Sequence, residues 1–80
     1  MKFEPYTDVA LTCDLPKHRL KRGDIVKLVD RHIAADGTES YSIEVFNAVG
    51  DTIAVTIVPA SALEALREDE VFCARPLNLA

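Results

Sequence analysis

Apolar and polar residues alternate with period two along most of this chain, which predicts strands rather than helices. Over 8–13 the alternation puts Val9, Leu11 and Cys13 on one face. Residues 14–23 break it: Pro16 sits near the start and Gly23 closes the segment, predicting an ordered loop anchored by Leu15 and Leu20. From Asp24 to Ile33 the pattern is mixed, with Ile25, Val29 and Ile33 on one face and Val26 and Leu28 on the other. Such a switch predicts a bulge within one long strand. Asp36-Gly37 supplies the positive φ of a hairpin turn, and Gly50 does the same one hairpin later. Between the turns, Ser40 to Asn47 places Tyr41, Ile43 and Val45 inward and Ser42, Glu44 and Phe46 outward. Thr52 to Val58 reads as Ile53, Val55 and Ile57 inward, with Thr52, Ala54 and Thr56 outward.

Pro59 ends that strand because it has no N–H to give the ladder. The stretch 60–66 leaves two readings: a short helix with Ser61 as N-cap and Glu64 at the capping-box position, or one turn followed by a short strand. Glu68-Asp69-Glu70 is a solvated turn, and 70–75 is a candidate last strand before Pro76. The expected architecture is all-β: one domain over 1–80, five to six strands, and at most one short helical turn near 60–66. So few strands fit a small closed barrel better than a two-sheet sandwich. Closure also removes sheet edges.

Composition agrees with a folded domain. Of 80 residues, 49% are hydrophobic and 28% charged, enough apolar surface to exclude disorder of the whole chain. The start, with Lys2, Glu4 and Pro5, lacks the apolar run of a signal peptide, and the apolar stretch 53–60 is too short to span a bilayer. A soluble, cytoplasmic, bacterial domain is the expectation, with no membrane partner. Charge is unevenly spread. Between Lys17 and Arg31 six basic residues face two acidic ones, a local +4 within a chain of net charge −4. That acidity disfavours nucleic acid as a general partner.

The chemistry-bearing residues are few. Cys13 and Cys73 read as reduced, half-buried apolar residues, a bridge between chain ends being the alternative. His18 and His32 have no metal-ligand spacing with anything, and Cys13 with His18 lacks an orienting third group. Three separated glycines form no phosphate cradle. No catalytic residue, metal or cofactor is expected. Lys17 and Arg19, between the apolar anchors Leu15 and Leu20, with Lys21 and Arg22 just after them, are the candidate partner-binding cations, a solvated loop being the alternative. Phe46 joins them, either covering a second barrel face or anchoring a partner.

Several segments together resemble an SH3-like barrel family of small bacterial proteins of unknown function. They are Asp8-Val-Ala-Leu-Thr12, Leu15-Pro16, Leu20-Lys-Arg-Gly-Asp-Ile25, Tyr41-Ser-Ile-Glu-Val-Phe46, and the tail Asp69-Glu-Val-Phe72 with Arg75. The family pattern prefers a glycine after the aspartate-isoleucine pair, where this chain has Val26. The resemblance implies a non-enzymatic protein-binding module, the antitoxin-like or immunity-like partner of a neighbouring small bacterial protein. Leu20 to Val26 also looks like the start of KOW-type barrels, which implies the alternative of a nucleic-acid or ribosome-associated domain using 17–31.

Overall fold

A computed structural model describes residues 3–77. Its strands are β1 (Asp8–Leu11), β2 (Ile25–Ile33), β3 (Glu39–Phe46), β4 (Thr52–Pro59) and β5 (Leu63–Ala65), with 3-10 turns at Pro16–His18 and Ala60–Ala62. All pairings are antiparallel, in one sheet of order β4-β3-β2-β1-β5. The fold is all-β.

Long β2 and β3 make the centre of the sheet, and the bulge expected in β2 lies between Leu28 and Asp30. Val29 is therefore the extra residue, and the register shift lets Val26 and Leu28 go inward while Asp30 turns to solvent. Both hairpin glycines have the positive φ their turns need: 88° at Gly37 and 93° at Gly50. Val9, Leu11, Val26, Leu28, Tyr41, Ile43, Val45, Val58 and Leu63 form the core, joined by Leu20 from the loop and Ala62 from the turn. Val26 is part of that core.

The 60–66 segment resolves as a turn followed by a short strand. The N-cap position of the turn is Pro59, without a side-chain cap, so the Ser61–Glu64 capping box does not form. Instead the Ser61 carbonyl accepts the Thr12 hydroxyl at 2.8 Å, and the Ala62 carbonyl accepts the Thr12 N–H at 2.8 Å. These bonds swing β5 onto β1 and curl the sheet so that the turn packs on β3. Residues 70–75 add no strand. They form a tail held to the start of β2 by the Arg75 side chain.

Strand β4 departs from its pattern. Ile53, Val55 and Ile57 face outward, and Val58 is buried with Ala54 and Thr56 half-buried. The register explains the reversal: Tyr41, Ile43 and Val45, all inward, stand opposite Val58, Thr56 and Ala54. Directly paired residues share a face, so β3 dictates the phase of β4. The core space facing Ile43 and Val45 takes the smaller Thr56 and Ala54.

Candidate functional site

The basic loop is folded tightly on its own backbone. Leu15 and Leu20 exchange main-chain hydrogen bonds of 2.9 and 3.1 Å, drawing the loop into a closed ring with Leu20 in the core. Arg19 closes the 3-10 turn at φ 60°. Past the ring, the Asp24 carboxylate accepts the Lys21 N–H and the Asp14 carboxylate accepts the Arg22 N–H, each at 2.8 Å. Both local acids are thus engaged by main chain rather than by the loop's own cations. Among the described residues no ion pair involves Lys17, Arg19, Lys21 or Arg22. Their charges are available to a partner.

Asp24 does a second task. Its Oδ1 accepts Arg75 Nε at 2.8 Å and its Oδ2 accepts Arg75 Nη2, a two-pronged pair that also reaches the Arg19 carbonyl at 3.3 Å. Burial pushes the Asp24 carboxyl up, but the Arg75 and Lys21 hydrogen bonds and their charges outweigh it and hold it below its usual value. Arg75 therefore pins the tail beside the start of β2. Between the tail, the basic loop and the end of β3 runs a groove of about 630 Å³, lined by Lys21, Arg22, Ile25, Phe46, Ile53 and Cys73 among others.

Three of the five residues singled out from sequence meet here: Lys21, Arg22 and Phe46. Lys17 and Arg19 lie on the 3-10 turn outside the lining, with Arg19 contributing only its carbonyl to the Arg75 anchor. Phe46 is 40% exposed and lines this groove. Asp24, Ile53 and Arg75 are the parts that sequence reasoning missed. The one signal for Arg75 was its place in the tail pattern, and nothing in the pattern joins it to a residue 51 positions earlier.

A second polar cluster lies at the far end of β2 and β3. Glu39 takes the Arg31 guanidinium and, at 2.8 Å, the Tyr41 hydroxyl, while Phe3 meets the Tyr41 ring edge-on with centroids 5.6 Å apart. Hydrogen bonds from Arg31 and Tyr41 hold the Glu39 carboxyl below its usual value. The site is fully engaged with itself and reads as structural. Cys13 and Cys73 are free and exposed rather than half-buried, because β1 ends at Leu11 and the tail adds no strand. No hydrogen bond joins Cys13 to His18 among the described residues, nor does any group of three or more His, Cys, Asp or Glu gather as metal ligands. Among the described residues no helix is long and apolar enough to cross a membrane.

Residues 6–65 match the family model of a domain of unknown function, DUF4926. The chain belongs to this family. The match covers the five strands of the DUF4926 domain and the basic loop, and it stops at Ala65, the last residue of β5. Asp24 thus lies inside the family domain and its partner Arg75 beyond it. No curated protein and no solved structure matches the chain.

Proposed function

We propose that this DUF4926 chain is a non-enzymatic protein-binding module whose contact surface is the groove between basic loop and tail. One observation carries the reading: the side chains of Lys21 and Arg22, which form no ion pair among the described residues, line one groove together with the exposed Phe46 and Ile53. An apolar anchor beside uncompensated cations suits a partner segment that is both acidic and apolar. The antitoxin-like or immunity-like role fits a small domain of this kind, acting by covering a dedicated neighbour. An SH3-like barrel is supported by the strand order, with a 3-10 turn leading into a final strand beside the first.

Co-expression with the product of the adjacent gene, followed by size-exclusion chromatography and titration calorimetry, tests the proposal. A one-to-one complex is expected, weakened by Phe46→Ala and by Lys21→Glu/Arg22→Glu. Separate elution, or a complex indifferent to both variants, contradicts it.

The KOW-like alternative draws on the same uncompensated cations, Lys17, Arg19, Lys21 and Arg22. It predicts RNA or DNA binding that falls steeply with added salt, because each neutralised phosphate releases counterion. Absence of binding at low salt removes it. The chain's net charge of −4 ranks it second.

A further inference from the structure

The tail is fixed at two points and bonds to little between them. The first point is a turn over 67–70. There the Arg67 carbonyl accepts the Glu70 N–H at 3.1 Å, the Glu70 carboxylate accepts the Arg67 N–H at 2.7 Å, and Arg67 pairs with Asp69. The second point is the Arg75 guanidinium on Asp24 and on the Arg19 carbonyl. From 67 to 77 only Arg75 and Leu77 are half-buried, and the rest are exposed. Between the two points lies Val71-Phe72-Cys73-Ala74, apolar and uncharged, with Val71 89% and Phe72 73% exposed. Among the described residues no hydrogen bond joins the main chain of 71–74 to the rest of the molecule.

Val71, Cys73 and Ala74 line the groove from the tail, and Ile25, Phe46 and Ile53 line it from the strands. About 630 Å³ stays open between them. Neither apolar surface covers the other, whereas an apolar segment entering the groove would be covered by both.

We infer that 71–74 is a strap that closes over an extended, acidic and apolar peptide segment of a partner, with the Asp24–Arg75 pair as its latch. The strap presupposes the partner-binding groove of the proposed function, and adds that the occupant is gripped from the tail as well as seated on the strands. Charge sets the chemistry of the occupant, because Lys21 and Arg22 line the same groove and form no ion pair among the described residues. Main chain sets its conformation. The unbonded N–H and C=O groups of 71–74 match those of an extended backbone laid alongside, as in strand addition. The latch acts before binding: it holds the far end of the strap in place, so less ordering entropy is lost when the complex forms. Asp24 and Arg75 thus act by positioning.

The test uses the full chain labelled with nitrogen-15 and a short synthetic peptide of alternating glutamate and leucine, followed by amide shifts and amide exchange with solvent. Shifts are expected at Lys21, Arg22 and Phe46, with exchange of the 71–74 amides slowed about tenfold, the scale of a newly made hydrogen bond. Arg75→Ala should weaken the peptide about tenfold and abolish the slowing, since the strap must then be ordered on binding. Arg75→Lys, which keeps the charge but not the two-pronged contact, should fall between. Asp24→Asn separates latch from charge. It takes a negative charge out of the groove, so attraction alone would tighten an acidic peptide, whereas a lost latch weakens it. Weaker binding is the result expected. A bound peptide with the 71–74 amides exchanging as fast as before overturns the strap and leaves the groove reading intact. Tighter binding by Asp24→Asn, or slowed 71–74 amides in Arg75→Ala, does the same. Unchanged signals at Lys21, Arg22 and Phe46 up to about 1 mM peptide, the weak end of the affinity scale, overturn both.

Discussion

At the scale of single residues, the most consequential is Asp24, which holds the Lys21 amide, the Arg75 guanidinium and through it the tail. Asp24→Asn keeps the shape and removes the charge. It should cost about 1.5–3 kcal/mol of stability in urea unfolding, the scale of hydrogen bonds to a charged group. Arg75→Ala should free the tail with a smaller loss, seen as faster amide exchange and proteolysis beyond Leu66. The pH dependence follows from the same pair. Asp24 and Glu39 both have carboxyls held below their usual values in the folded state. Their contribution is therefore present above the unfolded carboxylate pKa and lost as pH falls through the lower folded value. Stability should decline below about pH 4, the usual carboxylate range, and Asp24→Asn/Glu39→Gln should flatten that decline. An unchanged acid limb in the double variant would contradict the assignment.

At the scale of elements, period two located every strand from β1 to β4, but it did not orient all of them. On β3 the outward row carries Ser42 and Glu44, with Phe46 only at the strand's end, so Tyr41, Ile43 and Val45 lie inward where alternation puts them. In β2, Val29 is the residue that made the pattern ambiguous, and it is the bulge. In β4 both rows are apolar enough to be inward, so hydrophobicity alone picks the wrong one. What decides is cross-strand register with β3, a non-local fact absent from any one segment. The consequence is measurable. Ile43→Ala should destabilise by about 2–5 kcal/mol, as for a buried aliphatic, while Ile57→Ala should stay within about 0.5 kcal/mol, as for a surface position. The groove was half legible for a related reason. Lys21, Arg22 and Phe46 stand out as cations and an outward aromatic, whereas the Asp24–Arg75 anchor depends on where the tail lands.

At the scale of the whole molecule, the curl of the sheet leaves β4 as a long edge while β5 closes onto β1. That arrangement turns an apolar row, expected in the core, into surface next to a basic groove, with Ile53 belonging to both. The outward phase of β4 thus brings Ile53 into the groove lining. Solvent paramagnetic relaxation of methyl signals, recorded at low concentration with a soluble gadolinium chelate, tests that phase directly. Strong relaxation of Ile53, Val55 and Ile57 beside protected Ile43, Val45 and Val58 is the predicted result. Protected Ile53, Val55 and Ile57, with the Val58 methyls open to the chelate, would contradict it.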